Sequence, residues 1–202
     1  MLKIWETTNN KLEQISEIKK DTWINLVGPS EDELKRVYEK TDIHFNLLKK
    51  VLDPHESARV EVRSGATLIV LSIPTKIENG FRTIPLGIII SDNYVVTLIN
   101  DNQTGSLLFK RFIKNKKVDT KEKTKFVFNL FLEISAYYQI ILNELQKILD
   151  SKEKHLLKAT DDEEMHDLLS IQKSLVYFIK SLNMNEVVFE KLMQGNILKM
   201  NN

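Results

Sequence analysis

At 202 residues and 42% hydrophobic content, the chain is long enough for one domain with an appendage or for two small domains, and apolar enough for a packed core. The absence of cysteine excludes disulfides and thiolate metal sites and fits a reducing compartment, and a formal charge of +1 gives no global pull toward nucleic acid or anionic lipid. Met1 to Thr8 lacks the apolar run of a secretory signal, and apolar stretches such as Leu68 to Ile73 fall far below the ~18 residues of a spanning helix, so a soluble chain is expected.

In chain order, short β-rich runs alternate with turn signals. Strands are predicted at Leu2 to Trp5, Thr22 to Val27, Arg59 to Arg63, Thr67 to Ile73, Gly87 to Ile90 and Tyr94 to Ile99. Ser64-Gly65, Asn79-Gly80 and Asp92-Asn93 supply tight turns between neighbours, which predicts antiparallel hairpins. Two helices interrupt the series. The first starts at Ser30, where Glu33 completes a capping box, and the second runs from Ile43 to Leu52 and is stopped by Asp53-Pro54. This part is α/β or α+β, with a mixed sheet flanked by helices.

The architecture changes near residue 120. All four prolines and five of the six glycines precede residue 106, which places a domain boundary between 1–120 and 121–202. From Lys121 the period becomes helical, with Val127, Phe131, Ile134, Tyr138, Ile141, Leu145 and Ile148 at alternating steps of four and three. After a polar break at Lys158 to Glu164, Leu168, Ile171, Leu175, Phe178 and Leu182 form a second stripe, so an antiparallel helical hairpin is predicted. Its second helix, Asp161 to Gln194, has 34 residues without proline or glycine, a rod of roughly 50 Å that is expected to project toward a partner, another domain or a membrane.

Catalytic signatures are missing: there is no glycine-rich phosphate loop, no His-Glu-x-x-His and no serine in a glycine elbow, so no enzyme and no catalytic residue are expected. His44, His55, His155 and His166 show no ligand spacing. The segment Lys110 to Lys125 holds eight Lys or Arg against Asp119 and Glu122, but without interleaved aromatic platforms it reads as a solvated helix end and linker, not as a nucleic-acid interface. Asp161, Asp162, Glu163 and Glu164 have the oxygen ligands of a hard cation site, although acidic residues at a helix start also complement the macrodipole.

Three stretches together resemble a known family. Trp23-Ile24-Asn25-Leu26 with Pro29 and an acidic helix, then DIHFNLLKKVLDPHESARVEV (42–62), then TIPLGIIISDNYVVTLIN (83–100), look in order and spacing like the cytoplasmic domain of the CorA-type magnesium and cobalt transporters. The resemblance implies a mixed α/β domain followed by a helical hairpin with a long stalk helix, assembled as a homopentamer. It implies a location on the cytoplasmic side of the membrane, with two transmembrane helices and a Gly-Met-Asn signature following beyond Asn202. It further implies no cofactor, magnesium or another divalent cation as the transported and regulatory ion, and no nucleic-acid partner. Alternatives are the zinc-transporting branch of the superfamily, or a soluble scaffold or nucleic-acid-associated protein that keeps the fold without a channel. Freed from its membrane helices, the piece is expected to be a monomer or a weak oligomer.

One departure bears on ion sensing. The family's adjacent acidic pair, on the helix before the histidine-containing segment, aligns here with Lys49-Lys50. Ammonium groups repel a cation instead of ligating it. Asp53, just beyond them, is the substitute ligand to test, against the ordinary role of an Asp before Pro54 in ending a helix.

Overall fold

The structure, a computed structural model, describes residues 1–41, 43–63, 65–115, 117–156 and 162–194. Strands β1 (Leu2–Thr8), β2 (Lys11–Ile15) and β3 (Thr22–Val27) are followed by helices α1 (Glu31–Lys40) and α2 (Phe45–Val51). Then come β4 (Arg59–Arg63), β5 (Ala66–Ile77), β6 (Gly80–Ile90) and β7 (Tyr94–Ile99), and finally α3 (Asn102–Asn115), α4 (Lys123–Leu156) and α5 (Asp162–Gln194). The strands form one seven-stranded sheet in the order β2-β1-β3-β7-β6-β5-β4. Only the central β3/β7 pair is parallel, because the helices and hairpins between them carry the chain back to the same end.

The sheet is covered on both faces, which is why its central strands are apolar without strict alternation. Period-two geometry sends Ile24, Leu26, Val96 and Leu98 toward α1 and α2, where Leu34, Val37, Leu48 and Val51 complete one core. The opposite face carries Trp23, Val27, Val95 and Ile99 into a second core with α3, α4 and α5. On that face Trp23 is fully buried among Trp5, Phe109, Phe112 and Phe126, with ring centroids 5.2–6.1 Å away. Its indole Nε1 donates to Thr97 Oγ1 at 2.8 Å, and Thr97 Oγ1 donates in turn to Asn25 Oδ1 at 2.9 Å. The Trp-Ile-Asn stretch and the distant threonine are therefore one packing unit across β3 and β7, where Asn25 sits opposite Thr97.

The capping box at Ser30 is present: its Oγ accepts from Glu33 N at 3.2 Å, and Ser30 N donates to Glu33 Oε2 at 3.0 Å. Glu33 also accepts from Leu2 N and pairs with the amino terminus at 3.1 Å, tying α1 to β1. Burial works against its ionised form, but these hydrogen bonds and the N-terminal charge prevail and hold its carboxyl below the usual range. The predicted hairpins at Asn79-Gly80 and Asp92-Asn93 join antiparallel neighbours; Ser64 of the third turn lies outside the described residues.

Two elements were not anticipated. Strand β2 pairs with β1 across Asn9-Asn10, both at positive φ (52° and 61°), a left-handed turn pair that asparagine tolerates. Its sequence KLEQI is mostly exposed, as suits a charged sheet edge, and so gives no apolar run to find. Helix α3 occupies a segment that Gly105 makes look broken. A Cβ at Gly105 would lie 2.5 Å from Ile99 Cγ2 and 2.8 Å from Val27 Cγ1, so glycine is what lets the helix lie close on the sheet. Asp101 begins it by accepting from Thr104 N at 2.7 Å.

Helices α4 and α5 run antiparallel, since Phe128 and Phe131 meet Phe189 while Tyr138 meets Phe178. The segment Lys123–Ser151 of α4 is long and apolar enough to cross a membrane, yet its stripe of Val127, Ile134, Tyr138, Ile141 and Leu145 is buried in the core against the sheet. The α5 stripe differs from the expected one. Ile171 and Phe178 point inward, but Leu175 and Leu182 are exposed, and Ser174, Ser181, Val188 and Leu192 take the buried positions. The helix is laid along the sheet from Ser170, beside Asn79, to Asn185, beside Ser72, instead of standing free of it.

Candidate ion-sensing surface

Helix α2 is pressed on the sheet where β6 has Gly87: a Cβ there would meet both Val51 methyls at 2.5 Å. With Leu47, Leu48 and Val51 turned inward, the intervening Lys49 and Lys50 face outward. Neither ammonium is unaccompanied. Lys49 Nζ lies 3.8 Å from Glu31 Oε1 and 5.0 Å from the centre of the Phe45 ring. Lys50 Nζ lies 4.0 Å from Glu61 Oε2, and Glu61 is held further by Arg59 at 3.3 Å and Arg63 at 2.5 Å. Glu56 completes the set by pairing with Arg59. This surface is a mesh of opposite charges in which both glutamates next to the lysines are compensated. Its chemistry favours ion pairs and disfavours a bare divalent cation.

Asp53 Oδ1 accepts from His55 N at 2.9 Å, a local turn around Pro54 that occupies one carboxylate oxygen in ending α2. Asp162, Glu163 and Glu164 fall in the first turn of α5, and Asp161 lies outside the described residues. His44 occupies the N-cap of α2 without a capping side-chain bond, His55 and His166 are exposed, and His155 falls in the last turn of α4. Among the described residues, no three His, Asp or Glu side chains come together as a metal site. Within the basic segment, Lys110, Arg111 and Lys114 belong to α3, and Arg111 pairs at 2.9 Å with Glu133 of α4, which is 1% exposed. Lys123 reaches Asp21 at 3.0 Å. This part of the segment therefore ties α3 and α4 into the domain.

A polar latch was not legible beforehand. β4 pairs with β5 only as far as Val70, so Ser72 has no neighbouring strand on that side. The Asn185 carboxamide of α5 takes the strand's place: Ser72 N donates to its Oδ1 at 2.9 Å, and its Nδ2 donates to Ser72 O at 2.8 Å. Tyr138 Oη donates to the same carbonyl at 2.8 Å and lies 2.8 Å from Ser181 Oγ. Burial pushes the Tyr138 phenol up to about 12, against the opposing pull of its hydrogen bonds with Ser181 and Asn185. Further along α5, Ser174 Oγ accepts from Phe81 N at 3.0 Å and Ser170 Oγ donates to Asn79 O.

A mixed sheet covered by two short helices on one face and a long antiparallel pair on the other, with a charged surface at α2 and β4, defines the class: a helix-backed α/β domain. The profile of the CorA-like Mg²⁺ transporter family matches residues 19–202, and the chain belongs to that family, one of transporters. The cobalt/magnesium transport protein CorA of Methanocaldococcus jannaschii is 32% identical over 182 residues, 88% of this chain and 57% of that protein. The chain thus spans little more than half the length of that relative. The complete structure of the CorA magnesium transporter from M. jannaschii superposes with a TM-score of 0.88 at 27% identity, covering 100% of this chain and 65% of that one. The soluble domain of CorA from the same organism gives 0.86 at 27% identity, with coverage of 100% and 82%. The ZntB cytoplasmic domain from Vibrio parahaemolyticus gives 0.71 at 10% identity, covering 96% of this chain and 79% of that one, a likeness of fold alone. The resemblance carried by Trp23 to Asn25, the segment through Glu61 and the strands through Thr97 is thereby confirmed.

Proposed function

We propose that this chain is the cytoplasmic regulatory domain of a CorA-like divalent cation transporter, with magnesium as the cargo and as the ion that the whole protein responds to. The observation that carries the reading is the coincidence of the family match over 19–202 with a superposition on the soluble CorA domain that covers 100% of the chain. In this reading residues 121–202 link the α/β part, 1–120, to membrane helices encoded further on. The domain works on the cytoplasmic face, in a homopentamer, without catalysis. The outer face of α5 supports self-association: Val176 (58%), Ile179 (62%) and Met193 (52%) are exposed, and Leu132 (58%) of α4 is exposed as well.

Reading the gene past codon 202 tests this directly. Two apolar segments of about 20 residues with Gly-Met-Asn between them support transport, whereas an in-frame stop favours a scaffold that keeps only the fold. Metal uptake by the full-length protein then separates magnesium from zinc as cargo. By itself the 202-residue chain is expected to scatter light at micromolar concentration mainly as monomer exchanging with larger species. A tight dimer that resists salt would contradict the pentameric reading.

A further inference from the structure

A cleft of about 180 Å³ opens between α5 and the turn that joins α2 to β4. Its position follows from the early end of β4: where that strand stops, the 54–57 turn and α5 approach the open side of β5 and leave a gap between them. Polar groups from separate parts of the chain converge on this gap: His55 and Ser57 from the turn, Thr83 from β6, and Tyr177 and Lys180 from α5. Their side chains have no hydrogen-bond or ion-pair partner among the described residues. Glu56, the acidic residue in the lining, is already paired with Arg59, so Lys180 leaves the cleft with an uncompensated positive charge. Ile84, Pro85 and Met184 supply an apolar wall.

We infer that this cleft binds a small organic oxyanion, a phosphomonoester or a carboxylate with a short carbon skeleton. Lys180 provides the counter-charge, the hydroxyls of Ser57, Thr83 and Tyr177 donate to the oxygens, and the apolar wall receives the skeleton. The location gives binding a consequence. Ser72 and Ser181, members of the latch that docks α5 on the sheet, line the same cleft. A ligand held by both the turn and α5 therefore fastens the long helix to the α2–β4 surface. The site stands independently of the transport reading, and its failure would leave that reading untouched.

Inorganic phosphate and butyrate, each added to the 202-residue chain against sodium chloride of equal ionic strength, distinguish the two headgroups. The expected result is an anion-specific rise in Tm of about 3 °C at roughly ten times the Kd, for one probe or both. Amide resonance shifts should centre on Ser57, Thr83 and Ser181. Lys180→Met is expected to abolish both effects, while Lys173→Met, an exposed lysine elsewhere on α5, keeps them. No anion-specific rise with either probe, a rise that survives Lys180→Met, or shifts centred on the 110–125 segment would each overturn the assignment.

Discussion

Replacing Asn185 by alanine removes the carboxamide that stands in for a missing strand at Ser72. Two hydrogen bonds are lost, Ser72 N to Oδ1 at 2.9 Å and Nδ2 to Ser72 O at 2.8 Å, at about 1 kcal/mol each. The carbonyl keeps Tyr138 Oη as a donor, but the N–H keeps no partner; Ser72 is half-buried, so water recovers part of that loss and the total cost is about 2 kcal/mol. Tyr138→Phe, made alone, leaves the carbonyl bonded to Asn185 and the Ser181 hydroxyl bonded to Phe178 O, and should cost about 1 kcal/mol. In the double variant the carbonyl has neither donor, so the combined loss should exceed the sum by about 0.5–1 kcal/mol. Equilibrium urea unfolding followed by circular dichroism measures all three, with exposed Asn183→Ala as the control for helix propensity. If Asn185→Ala proves no more harmful than Asn183→Ala, or if the two losses simply add, the latch does not hold α5 in the way described.

The remaining expectations concern charge and close packing. Magnesium at millimolar concentration should stabilise the chain no more than sodium chloride of equal ionic strength, because Lys49 and Lys50 sit in a mesh of ion pairs; Lys49→Glu with Lys50→Asp should introduce a magnesium-specific rise in Tm, and such a rise in the unmodified chain would point to a missed site, first at Asp53 or Asp161 to Glu164. Gly87→Ala should cost about 2 kcal/mol through the clash with Val51, and Val51→Ala in the same chain should relieve part of it; independent, additive losses would show that α2 does not press on β6 at this point. Because folding raises the Tyr138 phenol to about 12, its contribution is intact below the unfolded value of about 10 and is lost as the pH climbs from there through 12. Alkaline titration of stability should therefore be less steep for Tyr138→Phe, and identical curves would contradict the buried hydroxyl. The Glu33 carboxyl, lowered by folding, contributes above the unfolded value of about 4.3 and loses that contribution as the pH falls through its folded value, so Glu33→Gln should flatten the acid limb of the stability curve.

The sequence by itself determined those features whose physics is local. Ser30 and Glu33 cap a helix by bonding each other's backbone, the turns at Asn79-Gly80 and Asp92-Asn93 set antiparallel neighbours, and the repeat from Val127 to Leu145 marks one face of a helix wherever that helix packs. Tertiary structure decided whatever depends on the surface opposite. Edge strand β2 exists because β1 offers it hydrogen bonds, not because KLEQI is apolar. Gly105 suits a helix only because Val27 and Ile99 stand too close for a side chain. In α5, Leu175 and Leu182 look like core and Ser174, Ser181 and Asn185 look like surface, yet the β5–β6 hairpin presents backbone groups at Phe81 and Ser72 that need polar partners. The inward turn of Asn185 follows from that demand at Ser72, which arises where β4 ends short of it, more than 100 residues along the chain from Asn185. The burial of Ser174 follows from it at Phe81, beyond the last β6–β7 pair at Leu86, and Ser181 is held inward by the Tyr138 hydroxyl that shares the Ser72 carbonyl. The same dependence governs Lys49 and Lys50. Their identity excludes ligation of a cation from the sequence alone, whereas their partners, Glu31 on α1 and Glu61 on β4, are brought to them only by the packing of α2 against the sheet.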